Sequence, residues 1–169
     1  LAQKISKWTA QSETRAGYVL LAAYLVDPNA AIAYQGLLPY PDYAEQTRAI
    51  LRETIHTTET TTYDKTVIRN ALDVRMSPRL VRSIAKVRSG YRTDYVSPEG
   101  AVGFIPLTAW QWKNAAQLCA TPLPFSEGAR NAEKNILIAC RYLDWLRGRV
   151  LKPYMGEALD RLELVHDNL

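Results

Sequence analysis

The sequence predicts an all-α protein, and three observations support that prediction. Apolar residues recur at the three- and four-residue spacing of amphipathic helices in successive segments of the chain. Short loops marked by proline and glycine separate those segments, and no segment alternates convincingly between apolar and polar residues. A chain of 169 residues with 47% hydrophobic residues has the length and composition of one globular domain that needs no metal or disulfide to form its core.

Two helices are predicted in the first third of the chain. The first covers residues 2–26 and ends at Asp27-Pro28, because the residue before a proline disfavours helical backbone angles. The second begins at Asp42 and continues to about residue 55. Glu45 follows Asp42 at capping-box spacing, and apolar residues then recur along one helical face.

Two more helices are predicted in the middle of the chain. The segment 57–62 contains five threonines and one glutamate, and β-branched residues of this kind favour a loop or a short extended piece. A third helix is expected over residues 63–74. A fourth begins at Ser77-Pro78, a serine cap followed by proline at the first helical position, and ends near Gly90, which readily adopts left-handed angles.

The remaining chain is predicted to continue the helical pattern after one tight turn. Residues 97–100 have the residue order of a type I turn, Ser-Pro-Glu-Gly. Further helices are expected from Pro106 or Leu107 to about Leu118, over residues 129–147, and once more before the last residue.

Composition excludes several classes of function. The net charge of +4 is too small to indicate a nucleic-acid partner, and no recognisable nucleic-acid module is present. No apolar run approaches the roughly 18 residues of a membrane span, and the run from Leu20 to Val26 has seven residues. Cys119 and Cys140 allow either one disulfide or two buried thiols. Neither cysteine has a histidine or a second cysteine at the spacing of metal ligands, and the chain's histidines are His56 and His166. Neither a metal site nor a cofactor is therefore expected.

Three motifs lie between residues 77 and 146. They read SPRLVRSIAKVRSGY over 77–91, VSPEGAVGFIPLT over 96–108 and NILIACRYLDWL over 135–146. In order and spacing they resemble three motifs of the lytic transglycosylases, goose-lysozyme-like enzymes of the SLT type that cleave peptidoglycan. The family motifs are the helix leading into E-S-G-F, the V-S-P-x-G-A-x-G-L-M-Q-L segment and the N-I-x-x-G-x-x-Y-L-x-x-L helix. The resemblance implies a lysozyme-like helical domain over residues 63–169, with residues 1–62 as an N-terminal helical extension.

The departures from the family pattern are as informative as the matches. The family's catalytic glutamate protonates the glycosidic oxygen and then accepts a proton from the sugar's 6-hydroxyl, and Arg88 stands at its position. An arginine stays protonated at physiological pH and cannot perform either transfer. Pro106 stands where the family has a substrate-holding glutamine, and the chain reaches Leu169 without the family's A-Y-N-A-G motif.

These departures predict a catalytically inactive protein that binds a peptidoglycan glycan strand or scaffolds an assembly in the periplasm or cell envelope of a bacterium. Two alternatives stay open. The protein is an active lytic transglycosylase that uses a displaced acid, or it is an interaction module of an envelope-spanning secretion or motility machine with protein partners. The candidate acids are Asp94, Glu99, Glu59 and Glu127.

The resemblance also implies which residues line the glycan groove. Sugar rings stack on aromatic side chains, which favours the tyrosines as glycan contacts. The predicted groove residues are Ser89, Tyr91, Tyr95, Gly103, Ile105, Pro106 and Tyr142.

A basic stripe is predicted from helical geometry alone. Arg75, Arg79, Arg82 and Lys86 fall within about 60° of one another on a helix surface. Residues 69–92 carry seven basic residues and one acidic residue, a net charge of +6. The stripe is therefore expected to be exposed, either as a solvated face or as a docking site for an acidic partner, stem-peptide carboxylates or anionic lipid.

Overall fold

The computed structural model describes residues 15–34, 36–56, 60–120 and 123–155. Within these ranges all regular secondary structure is helical, and the only β-type pairing consists of two isolated bridges, Val96–Val102 and Val102–Leu107. The prediction of an all-α fold is confirmed. None of the helices within these ranges is long and apolar enough to cross a membrane.

The chain forms two compact units. The first combines the described residues up to 48 with those from 146 onward, and the second comprises the described residues between 49 and 145. The boundary predicted from the sequence, between residues 62 and 63, stays a prediction. The three motifs lie in the second unit, except for the last residue of the third motif.

The first unit is built around an almost wholly buried helix. This helix, α1, covers residues 15–25, and its end before Asp27 confirms the predicted stop. A short helix that the sequence analysis missed, α2, follows at Pro28–Tyr34, because Asp27 caps it by accepting a hydrogen bond of 2.8 Å from the N–H of Ala30. The same Asp-Pro pair thus ends one helix and begins the next.

Three further elements belong wholly or partly to the first unit. Helix α3, Pro41–His56, begins there within one residue of its predicted start and continues into the second unit. A π-helix, Leu146–Leu151, packs against α2, and helix α9, Lys152–Met155, follows it. Residues 2–14 of the predicted first helix lie outside the described residues.

In the second unit, helix α8 is the central element. The helices are α4 at Asp64–Asp73, α5 at Pro78–Ser89, α6 at Ala109–Ala116, α7 at Phe125–Gly128 and α8 at Ala132–Trp145. Helices α4, α6 and α7 pack on α8, and α5 packs on α4. The core side of α8 is apolar and buried, apart from one asparagine described below.

Local capping chemistry accounts for the boundaries of α5. The Ser77 hydroxyl accepts a hydrogen bond of 3.4 Å from the N–H of Leu80, with Pro78 at the first helical position. Gly90 ends the helix with a φ of 61°. These boundaries agree with the sequence prediction.

The predicted start of the fifth helix is wrong by a few residues. Pro106 lies in a turn, and the N–H of Leu107 bonds the carbonyl of Val102, so neither residue is helical. Helix α6 begins after Thr108, whose side chain forms a capping box with Gln111. The box supplies hydrogen bonds for the helix N-terminus that Pro106 and Leu107 cannot provide.

The predicted sixth helix is also corrected at its boundaries. It is α8, which begins at Ala132 instead of residue 129 and gives way to the π-helix after Trp145. The short helix α7 precedes it and has no counterpart in the prediction.

Both cysteines in the described part of the chain are free thiols. Cys119 is partly exposed, and Cys140 is buried on α8. Among the described residues, histidines, cysteines and carboxylates form no cluster of three or more that could hold a metal ion.

Candidate functional site

The candidate site begins at the C-terminal end of α5, where the first motif ends. The N–H groups of Gly90 and Tyr91 donate hydrogen bonds to the carbonyls of Lys86 and Ala85 and close the helix. Gly90 and Tyr91 both have left-handed angles, with φ of 61° and 65°. The chain therefore reverses sharply after Arg88 and leads into the loop that carries the second motif.

Ser89 ties this helix end to the loop. Its hydroxyl lies 2.6 Å from the carbonyl oxygen of Phe104 and 2.9 Å from that of Ala85. A hydroxyl has one proton, so the shorter contact makes Phe104 the principal acceptor. Ser89 is buried, and its hydroxyl links α5 to the loop. Its predicted role in the glycan groove stays a prediction.

Asn135 holds the loop from the opposite side. This residue is completely buried near the start of α8. Its side-chain oxygen accepts a hydrogen bond of 2.8 Å from the N–H of Ile105, and its amide donates to the carbonyls of Ile105 at 3.1 Å and Val102 at 3.4 Å. One side chain thus satisfies three backbone groups of the loop, which explains how a segment without a strand stays ordered.

Gly103 lies where the loop closely approaches Asn135 of α8. Its φ of 109° is unfavourable for residues with a side chain, and a Cβ there would collide with the carbonyl oxygen of Ala129 and the amide of Asn135. The glycine therefore permits the Asn135 clamp to form.

Phe104 is the centre of an aromatic cluster. Its ring is fully buried and meets Tyr91 in a stacked arrangement at 5.8 Å and Tyr63 edge-on at 5.3 Å. The hydroxyl oxygen of Tyr91 is buried too, while the residue as a whole is half-buried. Tyr91 therefore anchors the loop through Phe104 and retains only part of its surface for a ligand.

Tyr95 lies further along the loop and is half-buried. Its carbonyl accepts a hydrogen bond of 3.0 Å from Gly103, and the guanidinium of Arg92 lies 5.5 Å from the centre of its ring. The predicted turn at residues 97–100 is confirmed, since the N–H of Gly100 donates to the carbonyl of Ser97.

The other predicted groove residues are buried. Ile105 and Tyr142 are completely inaccessible, and Gly103 and Pro106 are also buried. Tyr142 stacks on Trp145 with ring centres 5.8 Å apart. Their predicted glycan contacts stay predictions, and in this structure Gly103, Ile105 and Pro106 are buried within the loop and Tyr142 is buried on α8.

Arg88 occupies the last turn of α5 and is half-buried. Its Nε atom is buried, so part of the guanidinium group lies inside the protein. A cation in the last turn of a helix is favourable because it faces the negative end of the helix dipole. Chemically, the side chain can donate hydrogen bonds to oxygen atoms of a ligand, but it has no acceptor and an arginine does not serve as a general acid or base.

Most side chains of the basic stripe are less exposed than the sequence predicts. Arg82 lies 3.5 Å from the carboxylate of Asp64, and Lys86 lies 3.3 Å from that of Glu53. The side chains of these two ion pairs are only 18–29% exposed. The expectation that Arg82 and Lys86 are solvent-exposed is therefore wrong, because each is paired with an acid on a neighbouring helix. Arg79 is half-buried as well.

Arg75 differs from the other stripe residues in position. It is exposed, but it precedes α5 and has a φ of 54°, so it does not continue the helical row. The docking role of the stripe stays a prediction.

The three candidate displaced acids that the structure describes do not lie in apolar pockets. Asp94 has a side chain that is 82% exposed and lies 3.7 Å from Arg92, and Glu99 and Glu127 are exposed. A lysozyme-type general acid needs an apolar environment that favours its protonated form. Glu59 lies outside the described residues.

Two residues that organise the site, Asn135 and Phe104, are absent from the sequence-based set. Asn135 is the first residue of the third motif, and Phe104 stands in the second. The available signal was a polar residue on the otherwise apolar face of a helix, since buried asparagines occur where they satisfy backbone groups.

The second unit is helical, and its loop is attached to Ser89 at the end of α5 and to the buried Asn135 of α8. This arrangement fits the lysozyme-like class that the motifs imply. Comparison with protein-family models matches residues 65–161 to the Transglycosylase SLT domain. The match covers more than half of the chain and includes all three motifs, so the protein belongs to this family. No curated protein and no solved structure matches the chain. The family assignment supports a lytic-transglycosylase-like function related to peptidoglycan.

Proposed function

We propose that this protein is a catalytically inactive member of the transglycosylase SLT family that binds peptidoglycan glycan strands in the bacterial cell envelope. The observation that carries the proposal is Arg88, which stands where the family has its acid. A scaffolding role in an envelope assembly follows from binding without cleavage.

Loss of the acid removes the essential chemical step. Cleavage needs a group that gives a proton to the leaving oxygen and then takes one back, and general acid–base catalysis typically contributes about 10²–10⁴-fold. The guanidinium of Arg88 does neither, because an arginine side chain does not serve as a general acid or base. The exposed positions of Asp94, Glu99 and Glu127 argue against a replacement by these acids.

Binding has separate support from the loop framework. The second motif is held by the hydrogen bond from Ser89 to Phe104 and by the bonds of Asn135, and Gly103 permits the close contact with Asn135. A loop held in this way presents a preformed binding surface. Tyr91 and Tyr95 retain part of their surface on this loop, where aromatic rings can stack on sugars. Arg88 adds hydrogen-bond donors at the same end of α5.

Digestion of purified peptidoglycan sacculi tests the absence of catalysis. The protein is expected to release no anhydro-muropeptides above a heat-killed blank when the soluble fraction is analysed by mass spectrometry, with an active family member as positive control. Arg88→Glu alone is expected to fall short of full turnover, since Pro106 also departs from the pattern. Release of anhydro products by the unaltered protein would establish the displaced-acid enzyme instead.

Co-sedimentation with sacculi tests binding. Tyr95→Ala is expected to weaken retention several-fold, since stacking on an aromatic ring contributes about 1–3 kcal/mol by analogy with nucleic-acid bases. Tyr91→Phe keeps the ring and its contact with Phe104, so it is the matched control and should retain binding. Absence of co-sedimentation at low salt would favour a protein-interaction module over a glycan-binding protein.

A further inference from the structure

Helix α4 presents two large aliphatic side chains to solvent. Ile68 is 47% exposed and Leu72 is 50% exposed. They are four residues apart, so they lie next to each other on one face of the helix. The adjacent flank of α4 contains Val67 and Ala71, which are buried in the core of the second unit.

A surface cavity of about 230 Å³ adjoins this pair. It lies between α4 and the beginning of α5, and Ile68 forms part of its wall. Its volume is below the roughly 300–1,000 Å³ of typical small-molecule pockets, a size suited to one side chain of a partner. The cavity is lined by Asp64, Val67, Ile68, Pro78, Arg79 and Arg82.

The charge of the cavity wall is positive. The carboxylate of Asp64 accepts a hydrogen bond of 2.8 Å from the Thr61 hydroxyl and lies 3.5 Å from Arg82, so its negative charge is offset within the protein. Arg79 adds a second cation to the wall. One carboxylate and two guanidinium groups leave the lining with a net charge of +1.

Further cations surround the two aliphatic residues. Lys65 and Arg69 are exposed on α4, and Arg75 is exposed in the turn before α5. With the exposed Asp73 at the end of α4, these three cations give the rim a net charge of +2, so the surface combines an apolar centre with a net basic rim. This combination is complementary to a segment that carries both carboxylates and large apolar side chains.

We propose that this surface, the α4 surface formed by Ile68, Leu72, Arg69, Arg79 and the adjoining cavity, docks an acidic segment of a protein partner. An aliphatic or aromatic side chain of the segment enters the cavity, and its carboxylates face Arg69 and Arg79. A glycan strand fits less well, because Ile68 and Leu72 offer no aromatic platform. A flat lipid surface fits less well, because it cannot fill a concave cavity.

Panning a random 12-residue peptide library against the full chain tests this proposal independently of glycan binding. Enriched peptides are expected to contain an excess of Asp and Glu around a large apolar residue. Ile68→Ser or Leu72→Ser should weaken their binding at least fivefold, and Arg79→Glu at least tenfold. Leu118→Ser, which alters another exposed leucine after α6, should change it less than twofold.

A second measurement keeps the test independent of variant folding. Backbone amide shifts of the unaltered protein, titrated with an enriched peptide, are expected to change in α4 and at the start of α5. Failure to enrich any peptide, enrichment without acidic residues, or shifts confined to other helices would overturn the proposal.

Competition and self-association define the remaining outcomes. Displacement of the peptide by muropeptides would assign the surface to the stem peptides of peptidoglycan, and displacement by phosphatidylglycerol vesicles would assign it to lipid. Concentration-dependent dimerisation that Leu72→Ser abolishes would assign it to a second copy of this chain. Each of these results contradicts docking of an acidic protein segment.

Discussion

The side-chain oxygen of Asn135 accepts a 2.8 Å hydrogen bond from the N–H of Ile105, thirty positions away in the sequence. This contact joins the third motif to the second in space. It shows how the loop of the candidate site is ordered without a β-sheet: a buried amide replaces the partner that a neighbouring strand would supply. The motifs are therefore parts of one hydrogen-bonded arrangement.

Replacement of Asn135 by alanine should lower the free energy of unfolding by about 2–3 kcal/mol, because the buried N–H and carbonyl of Ile105 lose their partner. Urea unfolding followed by circular dichroism measures this. Asn114→Ala is the control, since its amide bonds only the carbonyl of Trp110 on an exposed helix face. A loss below 1 kcal/mol for Asn135→Ala would contradict the clamp.

The two loop glycines should differ sharply on substitution by alanine. Gly103→Ala places a Cβ against Ala129 and Asn135, so it is expected to cost more than 3 kcal/mol or to prevent folding. Gly100→Ala has open space around the added carbon and a φ of 85°, so the expected cost is about 1–2 kcal/mol from backbone strain alone. Equal thermal stabilities of the two variants would show that the close approach is unimportant.

Two serines of α5 provide a matched comparison. Both hydroxyls bond a carbonyl four residues earlier, but only Ser89 also reaches Phe104. Ser89→Ala should therefore cost about 1–2 kcal/mol more than Ser83→Ala, because it leaves the buried Phe104 carbonyl without this donor. Denaturant unfolding of both variants under identical conditions checks the difference. Indistinguishable midpoints would mean that α5 does not hold the loop through this bond.

The parts of the fold that the sequence predicted correctly have local chemical causes. Ser77-Pro78 and Gly90 fix the ends of α5 through a cap, a preset φ and a left-handed residue, and all three are visible in the residue order. The Ser97–Gly100 turn is equally local. The family resemblance rested on such short segments, which is why it located the site.

The parts that were missed depend on contacts between distant residues. Tyr142 was expected in the groove because it is aromatic, but only the packing of α8 shows that it is completely buried. Lys86 was expected to be solvent-exposed because it lies on the polar face of α5, but that face meets Glu53 on α3. Helical periodicity identifies which side of a helix is polar, and it does not identify what packs against that side.

The Lys86–Glu53 pair should contribute measurably to stability because both side chains are more than two-thirds buried. Lys86→Glu is expected to cost about 1–2 kcal/mol, more than the usual 0–1 kcal/mol of exposed pairs. The double variant Lys86→Glu with Glu53→Lys should recover at least half of that loss, since it restores opposite charges.

The Arg48–Glu45 pair, whose side chains are more than half exposed, is the control for this prediction. Arg48→Ala should change the unfolding midpoint very little. Additive effects of the two Lys86 and Glu53 substitutions in the double variant would show that the charges do not interact.

The buried thiol of Cys140 should make stability depend on alkaline pH. Burial raises its pKa to about 12 from 9.0, an effect that the nearby Arg141 opposes and Asp73 reinforces. Above about pH 9 the unfolded chain releases this proton while the folded chain retains it, so the unfolding free energy falls as pH rises. Between pH 8 and pH 10 the loss of unfolding free energy attributable to this group is on the order of 1 kcal/mol.

Comparison with Cys140→Ala isolates that contribution from the lysines and tyrosines that titrate in the same range. Urea unfolding at pH 8 and pH 10 should show a smaller pH-dependent loss in the variant than in the unaltered protein. Cys119→Ala is the matched control, because this thiol is only partly buried: burial raises its pKa and the nearby Arg141 opposes that effect. Identical pH dependence in the unaltered protein and Cys140→Ala would mean that the thiol on α8 is accessible to water in the folded state.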